Sequence, residues 1–368
     1  MSSNLQFSKS KSLPDFPWDE LKPYSKIAQS TNFEFVDLSQ GTPVDATPDF
    51  IQAAVAKSSN APGYPLTAGS AQLISALRNF SENILGVTGE FDVLPIIGSK
   101  EFIAWLPTVL NSKKVLYPKI SYPTYEVGAR IAGADAIAVD TDTSSWPSAD
   151  LVWLNSPANP TGEVIAKSKL IDSIKWARSN NSVLASDECY LHFGGEDSIL
   201  KLANGDNKNI IAVHSLSKSS NMAGYRAAFI VGDVQLISEI RQVRKHAGMM
   251  VPTIVQSAMV AALSNFEHVK LQAQKYEARR NLLWQALAKA GFIIEHSKAA
   301  IYIWCRHTSA ELSKDLAIVN WFANRGILVT PGKFYGSPNY VRIALTATDS
   351  QIKSAADRIA SDSDKQLK

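Results

Sequence analysis

Residues 210–226 read IIAVHSLSKSSNMAGYR. The first eight are largely apolar and β-branched, the composition of a buried strand, and Lys218 follows them directly among serines and small residues. Lysine ordinarily favours a solvated surface. In open parallel sheets, however, ligands collect beyond the carboxyl ends of the strands, and an amine confined there can lose its proton and attack a carbonyl. Whether Lys218 is a surface charge or a reactive amine therefore depends on whether the rest of the chain builds such a sheet.

The flanking sequence predicts that it does. Further short apolar runs stand at DVLPIIG (92–98), KKVLYP (113–118), DAIAVD (135–140), DLVWLNSP (150–157), SVLASDE (182–188) and AAFIVGD (227–233). Between them lie patterns such as SKEFIAWLPTVL and KSKLIDSIKWARSNN, whose apolar residues recur every three or four positions as on a helix. Strands alternating with helices predict an α/β fold with a mostly parallel central sheet flanked by helices. Pro107, inside the first helical pattern, predicts a kink. From about residue 265 the texture changes to a long charged helical pattern, VKLQAQKYEARRNLLWQALAKAG, then AAIYIWCR, ILVTPGKFYG and NYVRIALT, which read as a smaller α+β domain. The expected division is an N-terminal segment, 1–40, packing with the small domain of 265–368, and a large domain of 41–264.

Composition limits the partners. With 37 basic and 34 acidic residues in 368 the net charge is +3, which favours neither nucleic acid nor an anionic membrane. No run of eighteen apolar residues is present, and the opening MSSNLQFSKSKSLPDFPWDELKPY lacks the apolar core of a secretory signal. Two cysteines, Cys189 and Cys305, make no disulfide framework; both read as buried small side chains in a cytoplasmic protein. The six histidines show no metal-ligand spacing, so no metal site is expected.

Several short motifs share the position of Lys218, just past a strand. Gly98, Ser99 and Lys100 separate a strand from a helix, where free backbone N–H groups can hold a phosphate or where glycine simply permits the turn. In NSPANPTG (155–162) Pro157 and Pro160 stiffen the backbone around Asn159, which either faces a ligand or completes a plain turn. Asp187 ends an apolar strand and can pair with a cationic ring nitrogen or cap the next element, and Tyr190 can donate to a neighbouring oxygen. Ser215, Ser217 and Arg226 suit phosphate oxygens.

Taken together, GSK, NPTG, SDECY and SLSKSSNMAGYR in this order resemble the fold-type I, class I/II aminotransferases that use pyridoxal 5′-phosphate, over nearly the whole chain. The wording GYPLTAGSAQLISAL, GSKEFIAWLP, SYPTYEVGARIAGA and RKHAGMMVP looks most like the actinobacterial type of N-succinyldiaminopimelate aminotransferase, an enzyme class of lysine and diaminopimelate biosynthesis. The resemblance implies that Lys218 bonds the cofactor aldehyde and shuttles the substrate proton, and that Asp187 keeps the ring nitrogen protonated. It implies that Asn159 and Tyr190 bond the ring's phenolic oxygen, that Tyr122 stacks on the ring, and that Ser99, Lys100, Ser215, Ser217 and Arg226 form a phosphate cup. Arg342 and the backbone of Gly41 would take the substrate's α-carboxylate. Tyr64 would reach the phosphate of a neighbouring subunit in a homodimer with sites at the interface. Lys245 and His246 are the candidates for a distal carboxylate; both read equally as solvated helix residues.

The substrates implied are small amino acids and 2-oxo acids: glutamate and N-succinyl-2-amino-6-ketopimelate on one side, 2-oxoglutarate and N-succinyldiaminopimelate on the other. Three rivals remain. Another amino-acid aminotransferase or a carbon–sulfur β-lyase would keep the same cofactor and lysine. Ser215-x-x-Lys218 matches the S-x-x-K of serine acyl-transferring enzymes, but their S-D-N and K-T-G partners lack counterparts in the right order. A non-catalytic cofactor-binding regulator would be expected to carry a DNA-binding domain, for which the residues before the core leave no room.

Overall fold

The computed structural model describes residues 13–14 and 17–361; the beginning of the 1–40 segment and the last residues of the small domain lie outside them. After a helix at Lys22–Ser30 and a short strand β1 (Val36–Asp37) comes the central sheet. Its seven strands are β2 (Asp92–Ile96), β3 (Lys114–Pro118), β4 (Asp135–Val139), β5 (Leu151–Asn155), β6 (Val183–Asp187), β7 (Ile210–Ser215) and β8 (Ala228–Gly232). They lie in the order β2-β8-β7-β6-β5-β3-β4. All pairs are parallel except those of β8, which runs antiparallel to β2 and β7. The connection from β7 to β8 holds the Lys218 turn rather than a crossover helix, so the chain comes straight back.

Side chains alternate across this sheet, as strand geometry demands. On β5, Val152 and Leu154 join one core with Leu73 and Phe80 of the helix Ala71–Asn83, while Leu151 and Trp153 join the opposite core with Phe102 and Tyr125. Both faces are therefore apolar and covered by helices, which makes the strands read as continuous apolar runs. Pro107, expected to kink its helix, sits near the end of Ser99–Val109, where the missing N–H and ring clash coincide with the helix's termination.

The long helix Glu267–Lys289 leads to β9 (Phe292–Glu295) and β10 (Tyr302–His307). After β11 (Ile327–Leu328) come β12 (Thr330–Pro331) and β13 (Val341–Ala344). Antiparallel pairing gives the order β12-β13-β10-β9, while β1 pairs with β11 in parallel. A third core, including Leu38, Tyr302, Trp304 and Ile343, lies around these strands. Among the described residues no helix is long and apolar enough to cross a membrane.

Candidate active site

A cavity of about 350 Å³ opens at the carboxyl ends of β5, β6 and β7, against β10 and β13. It gathers residues that the sequence scatters over three hundred positions: Gly41, Ser99, Lys100, Tyr122, Asn159, Asp187, Tyr190, Ser215, Ser217, Lys218, Arg226 and Arg342 all line it.

Lys218 stands on a single helical turn, Leu216–Ser219, whose first N–H groups are capped by Ser215: the serine hydroxyl accepts from the Ser217 N–H at 3.2 Å. The amine is largely withdrawn from solvent. Burial pulls its pKa down to about 8, with the positive charges of Arg226 and Arg342 adding to the effect and Cys189 opposing it.

Asp187 ends β6, in register with Asn155 on β5. Its carboxylate is buried and accepts from the Tyr125 hydroxyl at 2.7 Å and the Cys189 N–H at 3.1 Å. Burial nevertheless raises its pKa against both donors. Asn155 locks the neighbouring loop: its Nδ2 donates to the Asp187 carbonyl at 3.0 Å, and its Oδ1 accepts from the Asn159 N–H at 2.8 Å. The peptide bonds before Pro157 and Pro160 are both cis.

Arg342 lies on β13 between β10 and β12, 2% exposed. Its guanidinium lies against the rings of Tyr302 and Tyr335, at 4.2 and 4.9 Å from the centroids. Nη1 donates to Asn159 Oδ1 at 3.0 Å and Nη2 to the Ser39 carbonyl at 2.6 Å. Because its oxygen is committed to Arg342, Asn159 has its Nδ2 donor left for the cavity. Among the described residues no carboxylate pairs with Arg342, so a buried cation and a buried acid share one cavity without neutralising each other.

The anion-binding end is equally specific. Ser99 begins the helix Ser99–Val109, whose first N–H groups have no intrahelical acceptors. Gly98 precedes it with φ of 100°, and a β-carbon there would run into the Arg226 guanidinium. Arg226 itself adopts φ of 56° and donates from Nη1 to the Ala223 carbonyl at 3.0 Å. Serine hydroxyls, helix N–H groups and a guanidinium are the donor set for a phosphate. With an amine, an acid for a ring nitrogen and the Tyr122 ring on the wall, the residues fit pyridoxal phosphate.

Three expected residues are not brought to this cavity. Tyr64 is 95% exposed, and Lys245 and His246 are exposed at the end of the helix Val234–His246. The preceding Arg244 turns inward instead and spends its charge on Glu101, in two hydrogen bonds of 3.0 and 3.1 Å. Tyr125, Asn155 and Tyr302 belong to the site although no motif singles them out. Asn155 was visible as the first residue of NSPANPTG; the two tyrosines carried no signal beyond an apolar pattern. Of the two cysteines, Cys305 is buried and Cys189 lines the cavity. Among the described residues no group of three or more histidine, cysteine or acidic side chains could hold a metal.

Comparison with known proteins gives a consistent picture. The family model for aminotransferase class I and II matches residues 34–359. A probable aminotransferase of Mycobacterium tuberculosis is 47% identical over 363 residues, 95% of this chain and 86% of that protein. The 4-dedimethylamino-4-oxo-anhydrotetracycline transaminase OxyQ of Streptomyces rimosus is 45% identical over 362 residues, 95% of this chain and 99% of that one. Among solved structures, a probable N-succinyldiaminopimelate aminotransferase from Thermus thermophilus superposes with a TM-score of 0.86 at 26% identity, covering 94% of this chain and all of that one.

Proposed function

Since the chain belongs to the class I and II aminotransferases, enzymes that depend on pyridoxal phosphate, we propose that it exchanges an amino group between glutamate and N-succinyl-2-amino-6-ketopimelate. The products are 2-oxoglutarate and N-succinyldiaminopimelate, and the exchange is reversible. The observation that carries amino-acid chemistry is Arg342, a buried guanidinium with no carboxylate partner among the described residues, in the same cavity as the Lys218 amine. The diaminopimelate assignment draws support from the wording of the sequence and from the name of the Thermus structure.

Bound pyridoxal phosphate supplies an aldehyde and a ring that accepts the electron pair left when the substrate's α-carbon loses its proton. Lys218 holds the cofactor and then moves that proton, for which a pKa near neutrality is suited. Asp187, buried and with no cation partner among the described residues, favours a protonated ring nitrogen because an adjacent positive charge relieves its burial. Asn159 and Tyr190 donate to the ring's phenolic oxygen, and Ser99, Lys100, Ser215, Ser217 and Arg226 take the phosphate. Arg342, with Gly41 beside it, orients the α-carboxylate in a planar, two-point contact. Tyr64, Lys245 and His246 lie outside the chain's own cavity; Tyr64 would reach the phosphate of a second subunit in a homodimer, and the distal carboxylate is left without either of the two basic residues in this cavity.

The test is glutamate formation from N-succinyldiaminopimelate and 2-oxoglutarate by the holoenzyme. Turnover with other amino donors but not this one would retain the aminotransferase and discard the substrate. Pyruvate release without conversion of the cofactor to its amine form would mark a β-lyase. The similarity to OxyQ makes a polycyclic ketone the acceptor to run alongside.

A further inference from the structure

Tyr302 touches three parts of the cavity that the roles above treat separately. It stands on β10 opposite Ala344 and is 2% exposed. Its hydroxyl lies 2.8 Å from the Tyr190 hydroxyl. The two rings meet edge to face, with centroids 5.5 Å apart. Its ring carries the Arg342 guanidinium at 4.2 Å, and its hydroxyl sits so close to Gly41 that a β-carbon there would collide with it.

Each tyrosine hydroxyl has one proton to give. If Tyr190 donates its proton to the cofactor's phenolic oxygen, its contact with Tyr302 can persist only with Tyr302 as donor. Donation into the Tyr190 oxygen polarises its O–H bond and strengthens it as a donor. The ring acts on the other partner. Two of the five N–H bonds of Arg342 are occupied by Asn159 and Ser39, which leaves three, and the Tyr302 ring at 4.2 Å, with Tyr335 at 4.9 Å, restrains the planar guanidinium that presents them.

We propose that Tyr302 is a positioning residue with two separable actions: its hydroxyl tunes proton affinity at the Lys218–cofactor linkage through Tyr190, and its ring fixes Arg342 for the substrate carboxylate. The proposal rests on the aminotransferase reading and on the role given there to Tyr190. Gly41 supplies the room that both actions need, since any side chain at that position would displace the Tyr302 hydroxyl.

The experiment compares holoenzymes carrying Tyr302→Phe, Tyr302→Leu and Tyr190→Phe. The protonation midpoint is read from the absorbance of the bound cofactor, and KM is measured for glutamate and 2-oxoglutarate. Tyr302→Phe should raise the midpoint by roughly half to one pH unit, the worth of one hydrogen bond, and leave KM within about twofold. Tyr302→Leu should add a rise in KM of about tenfold for both carboxylate substrates. Tyr190→Phe should raise the midpoint further than Tyr302→Phe does. An unchanged midpoint in Tyr302→Phe beside a shifted one in Tyr190→Phe overturns the relay and leaves the site assignment standing. If neither shifts, the role of Tyr190 falls and the relay with it. An unchanged KM in a folded Tyr302→Leu overturns the ring's action; should that variant fail to fold, Tyr302→Phe still decides the relay, and a tenfold rise in its KM with the ring retained overturns the separation of the two actions.

Discussion

The hydroxyl of Tyr125 donates to Oδ2 of Asp187 at 2.7 Å, and both groups are buried. Tyr125 belongs to the helix Thr124–Ala132 and stacks on Trp153, with centroids 5.3 Å apart, so the acid is aimed by a helix packed beneath the sheet. Tyr125→Phe removes one of the three hydrogen bonds, the other two from the Cys189 side chain and backbone, that oppose the effect of burial on Asp187. Cofactor affinity, measured by titrating the apoprotein with pyridoxal phosphate, should fall about tenfold, as expected for a hydrogen bond to a charged group. An unchanged affinity would show that the hydrogen bonds from Cys189 suffice.

The contrast between these two residues marks what the sequence can reveal. Asp187 is legible because a polar residue at the end of an apolar strand is locally anomalous, and the same anomaly exposes Lys218; Asn159 is marked by its flanking prolines, and Arg342, inside β13, only by the family resemblance. Tyr125 and Tyr302 are locally ordinary: each is an aromatic within an apolar pattern, and only tertiary packing turns its hydroxyl toward the site. The strands follow the apolar runs to within a residue or two, since alternation across two buried faces is a local property. Arg244, Lys245 and His246 show the opposite failure. Three consecutive basic residues look alike in sequence, and the helix phase alone sends Arg244 inward to Glu101 and the other two to solvent.

Burial lowers the Lys218 amine to about pKa 8, assisted by Arg226 and Arg342. Its reaction with pyridoxal phosphate, trapped by borohydride and located by mass, should therefore quicken with pH through a midpoint near 8. Lys218→Ala should abolish labelling of that peptide and turnover while retaining the fold. A midpoint near the ordinary lysine value would show that the amine is solvated.

The segment just after Gly41 is fastened by an ion pair between the buried Arg279 and the partly buried Asp45. Arg279, on the long helix, meets both carboxylate oxygens of Asp45 at 2.8 Å and Asp349 at 2.7 Å, and Gln272 adds a bond to Asp45 at 2.9 Å. Although burial works against it, hydrogen bonds from Arg279 and Gln272 and the Arg279 charge hold the Asp45 carboxyl below its usual pKa. A depressed carboxyl contributes stability that is present above its unfolded pKa and lost as pH falls through the folded one. Arg279→Met should cost about 1–2 kcal/mol at neutral pH, since Asp45 loses its two hydrogen bonds to the guanidinium but keeps Gln272 and, at 3.7 Å, Lys275. The melting-temperature gap to the unaltered protein should narrow below about pH 4. A gap constant down to pH 3 would show that packing, and not charge, is what Arg279 contributes.

Behind the site lies a second buried acid, Glu188, whose Oε1 accepts from the Ile199 N–H at 2.7 Å and whose Oε2 is 3.3 Å from His214 Nε2. The distance alone suggests an ion pair, but the energetics point the other way. Burial pushes Glu188 up to about pKa 7 and pushes His214 well below its usual value, with His192 adding to the latter. Near pH 6 the pair is therefore a protonated acid beside a neutral imidazole, which avoids burying two charges. A raised carboxyl binds its proton more tightly in the folded state, so its stabilising contribution is complete below the unfolded pKa of 4.5 and drains away as pH climbs to about 7. Glu188→Gln is neutral at every pH and escapes that loss, while His214 titrates in both proteins and largely cancels in their difference. The melting temperature of Glu188→Gln should consequently gain on that of the unaltered protein between about pH 5 and 7.5, then run parallel to it. A true ion pair would give the reverse, with the glutamine variant least favoured near neutrality.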